Sequence, residues 1–156
     1  MRFIDIIQDP WRPVEGEDGP AVTITPARQR LLTLAQWPHE LPVAVAVPND
    51  AAIEDLAEDL PRIALVVLHF PKWTDGRAYS QARLLRARYR YAGAVRATGE
   101  VLVDMMPLLS RTGFDEAQLR ADQSRETAER ALHFFAGHYQ ADVHEQRPLF
   151  SRQAAA

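Results

Sequence analysis

The strongest constraint on this chain is a rhythm. Short strand-like runs, most of them apolar and β-branched, recur every twenty to thirty residues or so, and each is followed by a stretch with helical spacing. The runs occupy residues 21–25 (AVTIT), 43–47 (VAVAV), 63–68 (IALVVL), 94–97 (AVRA) and 114–119 (FDEAQL). Neighbouring strands joined by helical crossovers of a dozen or more residues pair in parallel. The pattern therefore predicts an α/β fold: an open, mainly parallel sheet of about five βα units with helices on both faces. A further N-terminal strand is expected in residues 2–8. The run at 63–68 is apolar on both faces, as suits a central strand covered from each side. An eight-unit barrel needs roughly 200 residues or more. The 156 residues here are too few, so the alternative architecture is a partial TIM-like barrel.

Capping chemistry places the helices. Thr25 with Pro26 opens one that runs through Leu31, Leu32 and Leu34. Others are expected at 53–60, at 77–91, and from Gly99 through Leu109. Gly113 sits where a left-handed C-terminal cap would close that fourth helix. A last helix begins at Asp122 or Ser124 and reaches Tyr139. Residues 9–13 (DPWRP) break the first strand, and residues 15–20 form a polar loop. Residues 1–141 read as one domain and 142–156 as a polar tail.

Composition removes whole classes of function. With no cysteine, the chain has no disulfides, no thiolate zinc or iron–sulfur ligation and no cysteine nucleophile. Only Gly16 and Gly19 of its seven glycines lie close together, so neither a GxGxxG fingerprint nor a GxxxxGK[ST] phosphate loop is present. The net charge of −3 is not that of a nucleic-acid binder. No apolar run approaches the ~20 residues of a membrane span, and no signal-peptide core is evident. A cytoplasmic location is expected. The five histidines show no HxxxH or HExxH spacing, so no metal site is expected, and no cofactor is announced.

In a parallel sheet the loops after the strands emerge on one carboxyl edge, where ligands usually bind. The loop at 69–77 (HFPKWTDGR) is the densest polar and aromatic segment of the chain. Lys72, Arg77, Arg96, Thr98 and Gly99 are the expected anion-binding residues, with two helix N-termini supplying amides. Lys72, Asp75 and His69 are the candidates for acid–base work on a small anionic metabolite. On the following helix, Arg83, Arg86 and Arg90 share a face and form a candidate partner-docking stripe. Self-association is left open.

Residues 60–119 resemble a bacterial family known as domain of unknown function 934. The likeness is carried by Leu60-Pro61-Arg62, by residues 70–86 (FPKWTDGRAYSQARLLR), Tyr91-Ala92-Gly93, Arg96-Ala97-Thr98-Gly99, Val101-Leu102, Asp104 and Gly113-Phe114-Asp115. The sequence departs from the family pattern at Trp73, where Phe is expected, and at Met105, where Gln is expected. Thr112 replaces a cysteine that many relatives carry. Family members are commonly labelled oxidoreductases probably involved in sulfite reduction, and their genes tend to lie beside those of assimilatory sulfite reductase. The resemblance implies a small accessory protein of that process, which binds an oxyanion or a pathway protein at the carboxyl edge. Sulfite reductase or its electron donor would be the partner. Without thiolates to hold a cluster the chain is not expected to be the six-electron reductase itself. The rival expectation is an oxidoreductase or other enzyme with a loosely bound cofactor.

Overall fold

The computed structural model describes residues 1–5, 7–13, 29–33, 43–135 and 137–152. Seven strands form one all-parallel sheet: β1 (Arg2–Phe3), β2 (Trp11–Pro13), β3 (Gln29–Thr33), β4 (Val43–Val47), β5 (Ile63–Phe70), β6 (Ala94–Gly99) and β7 (Glu116–Ala117). Their order is β1-β7-β6-β5-β4-β3-β2. Among the described residues the helices are α1 (Arg77–Ala87), α2 (Met106–Thr112), α3 (Arg125–Leu132) and α4 (Leu149–Arg152), with 3₁₀ turns at Ile53–Leu56, Leu60–Arg62 and Val103–Met105. The open parallel α/β sheet expected from the rhythm is the fold that forms, with β5 near its centre.

From β2 to β7 each strand lies beside its sequence neighbour, so every crossover steps in the same direction. This single winding is what the barrel alternative shares with the observed sheet. The sheet also has to curl. β1 and β2 lie at opposite edges, yet they are joined by residues 4–10, which include a turn closed by Gln8 N–H to Asp5 O. A flat seven-strand sheet is about 29 Å wide at ~4.8 Å per strand. Eight peptide steps reach that far only when fully extended, at ~3.6 Å each.

The two faces carry different chemistry. Val45, Val47, Val66, Leu68, Phe70, Val95, Ala97 and Ala117 project to one side and pack with Ile53, Leu56, Ala78, Ala82, Leu85, Met106, Leu109 and Ala128 as the main core. The described parts of α1, α2 and α3 supply the helical half of that layer. Ala44, Ala46, Leu65 and Val67 project to the concave side with Trp11 and Ala94. Arg96 and Glu116 follow the same alternation and face that side too.

Local expectations held unevenly. Gly113 takes φ 105° and closes α2, and Ser124 caps α3 by accepting from Thr127 N–H. The helix expected from Pro26 to Leu34 is overturned at 29–33, which is β3. There Leu31 and Leu32 pair with Ala44 and Val45, so sheet formation outweighs a helix-favouring composition. The expected strand at 21–25, the start of that helix and the loop at 15–20 lie outside the described residues. Residues 11–13, read as a breaker, form β2, and Pro13 is tolerated because β2 is an edge strand.

The helix expected from Gly99 starts only at Met106, after a 3₁₀ turn, with Pro107 in its first turn. A proline further inside a helix would lack its N–H and clash with the preceding turn. α1 stops at Ala87 rather than Tyr91, because Arg90 adopts φ 51°. The helix expected at 53–60 is reduced to two 3₁₀ turns, and α3 ends at Leu132 rather than Tyr139.

Candidate functional site at the carboxyl edge

β5 and β6 run side by side to the carboxyl edge, His69 beside Thr98 and Phe70 beside Gly99. His69 Nδ1 lies 3.4 Å from Thr98 Oγ1. Gly99 sits at φ +89°, and a Cβ there would come within 2.4 Å of the Phe70 carbonyl oxygen. That close approach lets Glu100 N–H donate to Phe70 O at 2.9 Å as the chain leaves β6. Arg120 then takes Glu100 Oε2 at 2.6 Å and the Asp122 carboxylate through two nitrogens, at 2.6 and 2.7 Å.

The loop from Pro71 to Gly76 is braced at its far end. Asp75 N–H donates to Lys72 O at 3.0 Å and closes a turn. The Asp75 carboxylate accepts from Arg77 Nε at 3.0 Å and Nη2 at 2.7 Å, from the Arg77 backbone N–H at 3.3 Å, and from Asn49 Nδ2 at 2.7 Å. One carboxylate thus ties the loop after β4, the loop after β5 and the first turn of α1 together. The side-chain bonds from Arg77 bring the Asp75 carboxyl down to about 2, and Arg77 is raised in return. Gln81 in α1 adds a second tie, its Nε2 donating to Pro48 O at 2.8 Å and to Ala51 O at 2.9 Å. Above this bracing Lys72 is exposed and Trp73 is 58% exposed.

The candidate residues are not gathered into one constellation. Among the described residues no side-chain hydrogen bond joins any two of His69, Lys72 and Asp75. Asp75 is a charge held by Arg77, not a proton donor near neutrality. Arg96 does not reach the edge with Lys72. Its side chain is 2% exposed, with Nε 2.8 Å from Glu116 Oε2 and its two terminal nitrogens 2.6 and 3.1 Å from the Asp9 carboxylate. Arg2 pairs with the other oxygen of Glu116. All of this lies on the concave face, where Asp9, arriving ahead of β2, completes a buried ionic cluster. The signal in the sequence was the charge of Arg96 inside an apolar strand, which demands a buried partner.

The arginine stripe of α1 is also divided. Arg86 turns inward: it donates to the carbonyls of Gly113 (3.0 Å), Tyr91 and Gly93 (2.9 Å) and pairs with Asp115. It is a latch between α1 and the segments before β6 and β7. Arg83 and Arg90 remain exposed.

Sequence reading also missed Asp142. Its carboxylate accepts from the N–H groups of His144 and Glu145, both at 2.8 Å, and meets His138, while His144 Nε2 lies 2.9 Å from Ser110 O. Burial pushes the Asp142 carboxyl up, but the N–H groups of Glu145 and His144 and the charges of His138 and His144 outweigh it, and the net direction is down. Two cavities flank this segment, one of about 570 Å³ against α2 and one of about 720 Å³ against α1.

Comparison with known proteins adds one finding. The model of a family described as bacterial protein of unknown function (DUF934) matches residues 44–150, more than two thirds of the chain. No curated protein matches it.

Proposed function

This chain belongs to the DUF934 family, and from that premise we propose that it is a small accessory protein of assimilatory sulfite reduction. In this reading it docks a protein of that pathway through the Lys72–Trp73 loop. The process comes from the label and gene neighbourhood of the family it resembles. The mode of action rests on one observation: Trp73 stands 58% exposed beside Lys72, on a loop that Asn49, Asp75 and Arg77 brace. Tryptophan is among the residues that most often dominate a protein interface. A braced loop loses little conformational entropy on binding, so more of the contact energy is retained as affinity. Docking fits this edge better than oxyanion capture, because Arg96 is enclosed with Asp9 and Glu116 and Arg77 is committed to Asp75.

The test is direct binding of the purified chain to purified assimilatory sulfite reductase, and to its electron donor, from the same bacterium. An interface anchor is worth about 2 kcal/mol or more on truncation, which is roughly thirtyfold in Kd. Trp73→Ala should therefore weaken binding at least tenfold without lowering the melting temperature, and Lys72→Glu should weaken it further. Absence of binding to both proteins, or equal binding by Trp73→Ala and the wild type, overturns the proposal.

A further inference from the structure

We propose that the cavity between α1 and the segment at 141–146 binds a tetrahedral oxyanion, free sulfate or phosphate or the phosphate group of a small molecule, between Arg83 and Arg90. This is independent of docking at the Lys72–Trp73 loop, which lies at the other end of α1. Every other arginine whose side chain is described meets a carboxylate within 4.0 Å. Among the described residues, Arg83 and Arg90 have no such partner, and both line the same cavity of about 720 Å³. That volume is in the range of small-molecule sites. A guanidinium fork matches the oxygens of phosphate and sulfate, two donors to two acceptors.

The rest of the wall leaves their charge uncancelled. Arg86 between them spends its donors on three carbonyls and Asp115. The carboxylate on the opposite wall, Asp142, is balanced by His138, by the N–H groups of His144 and Glu145, and by Arg111 Nε at 3.7 Å. Ala87, Ala141 and Val143 leave room for an organic body beside the anion.

The backbone supplies an independent reason. Tyr91 N–H donates to Leu85 O at 2.9 Å, and Arg90 occupies the left-handed position just past the helix at φ 51°. Glycine fills that position without strain. An arginine held there accepts strain that glycine would avoid, and such strain clusters where a side chain has work to do. In this backbone conformation Arg90 lines the cavity together with Arg83.

The experiment measures Kd by titration calorimetry and the melting temperature by thermal unfolding. Sodium sulfate, sodium phosphate and adenosine 5′-monophosphate are compared with sodium chloride at equal ionic strength. The wild type should bind sulfate and phosphate and melt several degrees higher in their presence, by ligand linkage. Arg90→Gly should be folded and at least as stable without ligand, since the left-handed strain is relieved. It should nevertheless lose at least tenfold in affinity, and Arg83→Ala should lose a similar factor. Adenosine monophosphate binding tenfold tighter than inorganic phosphate would identify an ester as the occupant, and equal affinity would identify the free anion. No effect beyond that of chloride overturns the site. So does equal binding by the wild type and both variants. An acidic peptide that binds at this stripe and is not displaced by phosphate would give the surface to a protein instead, and would also overturn it.

Discussion

Replacing Arg96 by methionine tests the claim that a buried ionic cluster, and not an anion site, occupies the concave face. Arg96 makes one bond to Glu116 at 2.8 Å and two to Asp9 at 2.6 and 3.1 Å, and the three side chains are 2%, 5% and 8% exposed. Arg96→Met fills a similar volume but withdraws the positive charge. Among the described residues Glu116 keeps Arg2, whereas Asp9 keeps only the Trp11 N–H at 3.2 Å, so most of the penalty falls on Asp9. Breaking a buried pair by removing one partner costs about 3–5 kcal/mol. In a chain of this size that lowers the melting temperature by roughly 6–20 °C. The assay is urea unfolding of a double-mutant cycle with Asp9→Asn, which keeps the turn bond to Trp11 and removes the charge. Asp9→Asn should be destabilising in the wild type and should recover part of the loss in the Arg96→Met background, with a coupling of about 2–3 kcal/mol. A loss below about 1 kcal/mol for Arg96→Met, or a coupling near zero, would refute the reasoning.

Two further outcomes follow from the same structure. Gly99→Ala puts a Cβ 2.4 Å from the Phe70 carbonyl at φ +89°. It should cost more than the ~1 kcal/mol of left-handed strain alone, and chemical denaturation against Gly76→Ala, which has open contacts, would show the difference. The Asp142 carboxyl is held below its ordinary 3.8, so its contribution is fully present above that value and is lost as the pH falls through the lowered one. Hydrogen exchange across residues 137–150 should accelerate at that acid limb in the wild type. In Asp142→Asn exchange should already be fast at neutral pH, and unchanged protection there would remove Asp142 as the hub.

How much of this was legible without coordinates differs from one element to the next. The strand at β5 was plain because the six residues of its 63–68 run are continuously apolar, and such a run has few other uses in a soluble fold. Gly113 as a cap was plain because only a residue without Cβ takes φ 105° freely. β3 was not, since Leu31 and Leu32 serve a helix equally well and only pairing with β4 selects the strand. At the candidate edge the braced loop could be located, and Asp75 could be placed near the start of α1. That Asn49 would share its carboxylate could not be read from the sequence, because that contact is made across 26 residues.

The sequence by itself determined the parallel α/β class, the rough positions of five of its strands and the absence of thiol and glycine-loop chemistry. Each of these follows from local period or composition. The tertiary structure alone decided which charges are available. Arg96 and Asp9 are 87 residues apart and meet only because a singly wound sheet curls its edges toward each other. Arg83, Arg86 and Arg90 look equivalent at helical spacing, yet Arg86 faces Gly113 and Asp115 while the other two face a cavity. A guanidinium's role depends on the nearest carboxylate, and that distance is a property of packing rather than of order along the chain.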